Sequence, residues 1–197
     1  MGKCRYCKTK IPIRLPIVEL LSGCFALCTY LKFGLTAQAL IYFALIASLL
    51  VVIFIDIDHL IIPDCISLPG IIIGFLASCF ILQDMDWKKS LLGFFVGGGF
   101  FFLIAFLYSK LKKIEGLGGG DIKLLAMLGA FLGIKGVLFV IFIASAIGTV
   151  VGLIVMLSSK EKSLQFKIPF GPFLSFAAIL YIFWGNEIIL WYINFIR

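Results

Sequence analysis

A chain of 197 residues in which 62% are hydrophobic and only 14% charged, with a mean hydropathy of +1.18, carries more apolar side chain than a soluble core of this length can bury. Stretches such as Ala39 to Ile55 lack the polar face that a soluble helical bundle turns to water. The formal net charge of +7 calls for no nucleic acid, because lysines that hold topology and meet the anionic headgroups of membrane lipid account for it.

Residues 1–14 carry Lys3, Arg5, Lys8, Lys10 and Arg14 around a Cys pair. They read as a short cytoplasmic segment ahead of a transmembrane domain at 15–197. No cleavable signal is evident, and the first apolar run is long enough to remain in the membrane. Helices are expected at about Leu15 to Phe33, Thr36 to Ile55, Asp64 to Leu82 and Ser90 to Ser109. After a glycine run, Asp121 to Gly133 forms a shorter apolar segment, followed by Val137 to Leu157 and Phe170 to about Ile196. The short segment reaches only about 20 Å at 1.5 Å per residue, so it dips in or stops before crossing. Such partial helices pack against protein or line a cavity, because their free backbone groups need partners. The expected fold class is all-α and polytopic, with about six full transmembrane helices and one short helix.

Basic residues set the orientation. One side collects Lys3, Arg5, Lys8, Lys10, Arg14, Lys110, Lys112, Lys113, Lys123, Lys160, Lys162 and Lys167; the other holds Lys32, Lys88, Lys89, Lys135 and Arg197. This asymmetry puts the N-terminus in the cytoplasm and the C-terminus outside.

Carboxylates at membrane depth cost roughly 2.5 to 3.5 kcal/mol on insertion scales, so the chemistry is expected where they occur. Two clusters stand out. Asp56-Ile57-Asp58-His59-Leu60-Ile61-Ile62-Pro63-Asp64 closes the second helix, and Glu115-Gly116-Leu117-Gly118-Gly119-Gly120-Asp121 opens the short segment. In this topology Asp56 and Asp121 both fall near the cytoplasmic boundary and can meet. Two carboxyl groups held close divide one proton, which suits peptide hydrolysis: one activates water and the other protonates the carbonyl oxygen or the leaving amine. Gly118, Gly119 and Gly120 would let an extended substrate approach the backbone. The plainer readings are Asp64 and Asp121 as helix N-caps and Asp56 and Asp58 as a solvated loop.

The stretch from Asp56 to Asp64, together with Gly118-Gly119-Gly120-Asp121-Ile122-Lys123-Leu124-Leu125-Ala126, resembles the two signature regions of the prepilin peptidases, or type IV leader peptidases, membrane aspartyl proteases of the GxGD kind. The likeness extends to Cys4-Arg5-Tyr6-Cys7, Pro16-Ile17-Val18-Glu19 and Ile168-Pro169-Phe170-Gly171-Pro172. The resemblance implies that Asp56 and Asp121 are the catalytic pair, Asp56 rather than Asp58 because the family's first aspartate stands seven residues before the proline, here Pro63. Gly118, Gly120, Lys123, Glu115 and Asp64 are expected to support them. It implies prepilin or pseudopilin precursors as partners, cut at the cytoplasmic face of a prokaryotic inner membrane, with no cofactor needed for the peptidase. Longer members also methylate the new N-terminus with S-adenosylmethionine.

Those longer members begin with another helix and two Cys-x-x-Cys pairs, whereas this chain starts at what resembles the second pair: it is either a peptidase-only form or lacks its first part. Cys4 and Cys7 supply two thiolates where a closed structural zinc site normally takes four ligands. Cys24 and Cys28 lie inside a span and cannot readily complete the set; Cys65 and Cys79 read as small apolar residues. Neither stoichiometric zinc nor methyl transfer is therefore expected. His59 reads as a solvated loop residue, and Lys123 and Glu115 tune the pair or pair with each other. A small transporter or channel relaying protons or cations through the aspartates is the alternative, although no repeated hydrophobic halves are apparent. A silent membrane scaffold is the third reading. The sequence leaves the oligomeric state open.

Overall fold

The computed structural model describes residues 2, 6–9, 12–83, 85–112, 118–158 and 168–196. Cys4 and Glu115 lie outside the described residues, as do Lys3, Arg5, Lys10, Lys113, Lys160, Lys162, Lys167 and Arg197 among the basic residues used for orientation. All regular structure among the described residues is helical. The chain divides into two compact units, Met1–Leu50 and Val51–Arg197.

In the first unit, α1 (Arg14–Phe33) ends at Gly34, whose φ of 65° turns the chain while its amide donates to the Tyr30 carbonyl at 2.8 Å. Thr36 then caps α2 (Ala37–His59): its Oγ1 accepts from the Ala39 amide and donates to the Phe33 carbonyl, both at 3.1 Å. The Phe33 and Tyr42 rings pack 5.0 Å apart across this turn. Capping and ring contact together fix where one apolar helix stops and the next begins.

The second unit holds the end of α2, then α3 (Asp64–Phe80), α4 (Trp87–Phe94), a π-helical turn (Phe95–Phe100), α5 (Phe101–Lys112), α6 (Gly119–Ser158) and α7 (Gly171–Ile196). α6 is the hub, with α3, α4, the π turn and α7 all packed on it. It is broken at Gly133, whose φ of 68° and ψ of −174° no helix contains. The first leg therefore ends where the expected short segment ends. The second leg returns along α7: Gly136 packs on Tyr181, while Gly148 reaches Phe170 and Phe173 and Gly152 reaches Ile168, near the start of α7.

Small residues let the first leg of α6 come close to α4. Gly93 and Gly97, four apart, lie against Gly129 and Leu125, and a Cβ on Gly98 would stand 2.6 Å from that of Ala126. A Cβ on Gly93 or on Gly129 would collide with the other's carbonyl oxygen. Such small-xxx-small contacts replace the hydrophobic driving force that lipid removes. The buried Ser90 hydroxyl adds an interhelical hydrogen bond, donating to the Ala130 carbonyl at 2.7 Å.

Among the described residues, five helical stretches are long and apolar enough to cross a membrane: Arg14–Phe33, Ala37–His59, Trp87–Leu107, Gly119–Ser158 and Gly171–Phe195. Between 6% and 44% of each one's most apolar window is buried within the protein, which leaves the rest for lipid. The protein is thus an all-α, multi-pass membrane protein. The short α3 has 17 residues. The observed ends differ from the expected ones in one place that matters: α2 runs on to His59, so Asp56 and Asp58 are helical rather than part of a solvated loop.

Candidate active site

The site lies within the second unit, built from the end of α2, the loop that follows it and the starts of three helices, α3, α6 and α7. Asp56 occupies the last turn of α2. Beyond His59, Leu60 adopts a φ of 56°, uncommon for a residue with a side chain, and its amide donates to the Asp56 carbonyl at 2.9 Å. This reversal delivers an extended segment to Pro63, whose carbonyl accepts the Ile66 and Ser67 amides at 3.1 and 3.2 Å to start α3.

Asp56 is only 5% exposed. Its Oδ2 accepts a buried hydrogen bond of 2.8 Å from the Gly171 amide, the first of α7. First-turn amides have no partner inside their own helix, so this one is available, and the partial positive charge of the helix start favours an acidic neighbour. Pro172 next in line has no amide to satisfy. A Cβ on Gly171 would stand 2.7 Å from Asp56 Oδ2, so the contact depends on glycine.

Asp121 sits in the first turn of α6, half-buried. It is not an N-cap. The Gly118 carbonyl accepts the Asp121 amide at 3.1 Å and the Ile122 amide at 3.4 Å, and a Cβ on Gly118 would lie 3.0 Å from Asp121 Oδ2. Asp56 and Asp121 line the same cavity of about 950 Å³. The Leu60 to Asp64 segment, the three glycines before Asp121, Lys123 and Ile168 to Phe170 form its walls.

Asp64 is not an N-cap either: Pro63 holds that position, and no side chain caps the helix. The Asp64 carboxylate instead receives Lys123 Nζ at 2.7 Å from each oxygen, a half-exposed ion pair at the cavity wall. It ties the first turn of α3 to the N-terminal end of α6. Glu115 lies outside the described residues. Asp58 and His59 are exposed at the end of α2 and do not line the cavity.

Cys7 is exposed, with Sγ 2.8 Å from Thr9 Oγ1, and Cys4 is outside the described residues. Among the described residues no group of three or more His, Cys, Asp and Glu side chains is placed to hold a metal ion. Cys24, Cys28, Cys65 and Cys79 are exposed on their helices.

Two contributors were not singled out from the sequence. Gly171 belongs to the Ile168 to Pro172 stretch that carries part of the family resemblance, but only folding brings its amide to Asp56. Ile62, 6% exposed, fills the space between Gly120 and Gly171; an apolar residue in so apolar a chain carries no signal of its own.

Two carboxyl groups converging on one cavity at the ends of apolar helices form the arrangement of a membrane aspartyl peptidase. Comparison with known families agrees. Residues 43–153 match the profile described as the type IV leader peptidase family, and residues 1–33 that of the bacterial peptidase A24 N-terminal domain. The chain is 38% identical over 194 residues to a prepilin leader peptidase/N-methyltransferase of Xanthomonas campestris pv. campestris, covering 98% of this chain and 67% of that protein. A protein of the same name from Stutzerimonas stutzeri is 35% identical over 200 residues, covering 100% and 67%, and one from Pseudomonas aeruginosa is 35% identical over 195 residues, covering 98% and 66%. No solved structure matches the chain. The chain belongs to the type IV leader peptidase family, and its activity is that of an aspartic endopeptidase.

Proposed function

We propose that Asp56 and Asp121 are the catalytic pair of a peptidase that removes the leader from prepilin-like precursors at the cytoplasmic face of the inner membrane. The observation that carries this reading is that both carboxyl groups line one cavity, formed where helices begin and end. The shared cavity supports a water held between the two acids. One carboxylate takes a proton from it as the oxygen bonds to the scissile carbonyl carbon, while the other carboxylic acid protonates the carbonyl oxygen. Collapse of the tetrahedral intermediate breaks the C–N bond, and a proton passes to the departing amine. The Gly171 amide supports this by holding Asp56 Oδ2, which leaves Oδ1 for the water or the substrate.

The glycine-lined wall at Gly118 to Gly120 suits an extended backbone, and Ile168 to Phe170 offers an apolar surface opposite for the start of the precursor's hydrophobic helix. In the topology we favour, α3 crosses the membrane as well, giving six full crossings beside the short first leg of α6. The site end then faces the cytoplasm, where the lysines of the 113 and 160–167 segments lie in sequence. Purified full-length protein incubated with a synthetic precursor, its products read by mass spectrometry, tests the reading. A leader and a mature fragment are expected, and an uncut precursor, or cleavage at wild-type rate by Asp56→Asn or Asp121→Asn, would overturn it. The same assay with S-adenosylmethionine present decides whether the product is methylated.

A further inference from the structure

We propose that Ile62 is the spacer that sets the separation of the Asp56 and Asp121 carboxyl groups. The inference rests on reading those two acids as the catalytic pair. Its neighbours Leu60 and Ile61 are 48% and 62% exposed, whereas Ile62 is 6% exposed, so one side chain of this segment turns inward. That side chain meets the backbone beside each acid. A Cβ on Gly120, the residue before Asp121, would stand 3.0 Å from Ile62 Cβ and 3.4 Å from Cγ1. On its other side, a Cβ on Gly171, the donor to Asp56, would stand 3.3 Å from Ile62 Cδ1.

The segment that carries Ile62 is itself anchored. The Leu60 amide is bonded to the Asp56 carbonyl and the Pro63 carbonyl to two amides of α3. Ile62 is β-branched and stiff at its first torsion, which holds Cγ1 towards Gly120, and its δ carbon extends the side chain to Gly171. Bare glycines on both sides make it the contact that stops the starts of α6 and α7 from closing on each other. Ile62 touches no reacting atom; it is a positioning residue. Misplacing a reacting group by about 1 Å costs on the order of 100-fold in rate, so its length governs turnover.

The test is a truncation series in the full-length purified protein with a synthetic precursor. Ile62→Leu keeps a δ carbon and should rescue kcat to within about threefold of wild type; Ile62→Val removes the atom facing Gly171 and should lower it about tenfold; Ile62→Ala should lower it about 100-fold, with KM changing less than about threefold throughout. A residue that merely fills space would lower accumulation or thermal stability and leave kcat per folded enzyme unchanged. A second measurement does not depend on turnover: Asp56→Cys with Asp121→Cys, in a background free of native cysteines, is crosslinked with reagents of graded length. Ile62→Ala should shift the preferred reagent length. Wild-type kcat in a folded Ile62→Ala, or in Ile62→Val should the alanine variant not accumulate, overturns the proposal, as does an unchanged crosslinking profile. Cleavage by Asp56→Asn would instead overturn the catalytic reading, and a shifted crosslinking profile would still stand.

Discussion

The amide of Gly171 donates to Oδ2 of Asp56 at 2.8 Å across 115 positions of sequence, joining the start of the last helix to the end of the second. Gly171→Ala places a methyl 2.7 Å from that oxygen, so the acid must turn away or α7 must retreat. Cleavage should fall by about 100-fold, the loss expected for a reacting group displaced by about 1 Å, while the protein still accumulates in membranes. Initial rates on a synthetic precursor check this, and an alanine variant as fast as wild type would remove the amide from the mechanism.

Asp56→Asn and Asp121→Asn keep side-chain shape and remove acid-base capacity. Each should reduce cleavage by about 100- to 10,000-fold or more. Asp58→Asn, altering an exposed residue that does not line the cavity, should retain substantial activity. With one proton divided between two acids, the wild-type rate should rise with pH as the base form appears and fall as the remaining acid is lost. The two limbs belong to the pair and not to either residue. A flat profile across both limbs would count against the shared proton.

The ion pair between Lys123 and Asp64 is half-exposed, so breaking it should cost only about 0.2–1 kcal/mol of stability. Its position between the starts of α3 and α6 gives it a larger effect on turnover than on stability. Asp64→Asn and Lys123→Met should each slow cleavage severalfold, and the charge exchange Asp64→Lys with Lys123→Asp should recover part of the loss. A double-mutant cycle with no coupling between the two positions would show that the pair is incidental.

Gly129 and Gly23 make a contrasting pair of alanine variants. At Gly129 a Cβ meets the Gly93 carbonyl, whereas at Gly23 it meets nothing within 4 Å. Gly129→Ala should lower the unfolding temperature in detergent and reduce accumulation, at a cost of about 1–3 kcal/mol for forced overpacking. Gly23→Ala should be neutral or slightly stabilising, because alanine favours helix.

Ser158 ends the second leg of α6, at the site end of the unit, since that leg packs along α7 towards Ile168. In a background without native cysteines, Ser158→Cys should label with impermeant thiol reagents only from the cytoplasmic side. Labelling from outside in intact cells would turn the site away from a cytoplasmic leader.

Much of this site was legible in the sequence because charge is scarce in it. In a chain so apolar, Asp56 and Asp121 stand out, and alternating helices put them at the same membrane side. The break at Gly133 was legible too, as an apolar stretch too short to cross that ended in glycine. Less visible was what depends on distance between segments. Asp64 read most simply as a cap, and only the approach of α6 makes it the partner of Lys123. The π turn at Phe95–Phe100 left no trace, because uniformly apolar residues have no period to interrupt. Ile62 was hidden for the same reason, and the donor role of Gly171 emerges only once the chain ends of two helices meet.

In the proposed topology, the reversal at Gly133 would give the membrane itself a part in choosing the bond. The first leg of α6 reaches only about 20 Å, whereas the hydrocarbon layer is about 30 Å thick. With the reversal seated at the far interface, Asp121 at the head of that leg would lie beneath the near headgroups and not level with them. A precursor whose apolar helix sits in the same bilayer then offers its bonds at a depth fixed by where its polar leader gives way to hydrocarbon. Lipid thickness would then be the ruler against which enzyme and precursor are both registered, and cleavage in bilayers of graded thickness should show it.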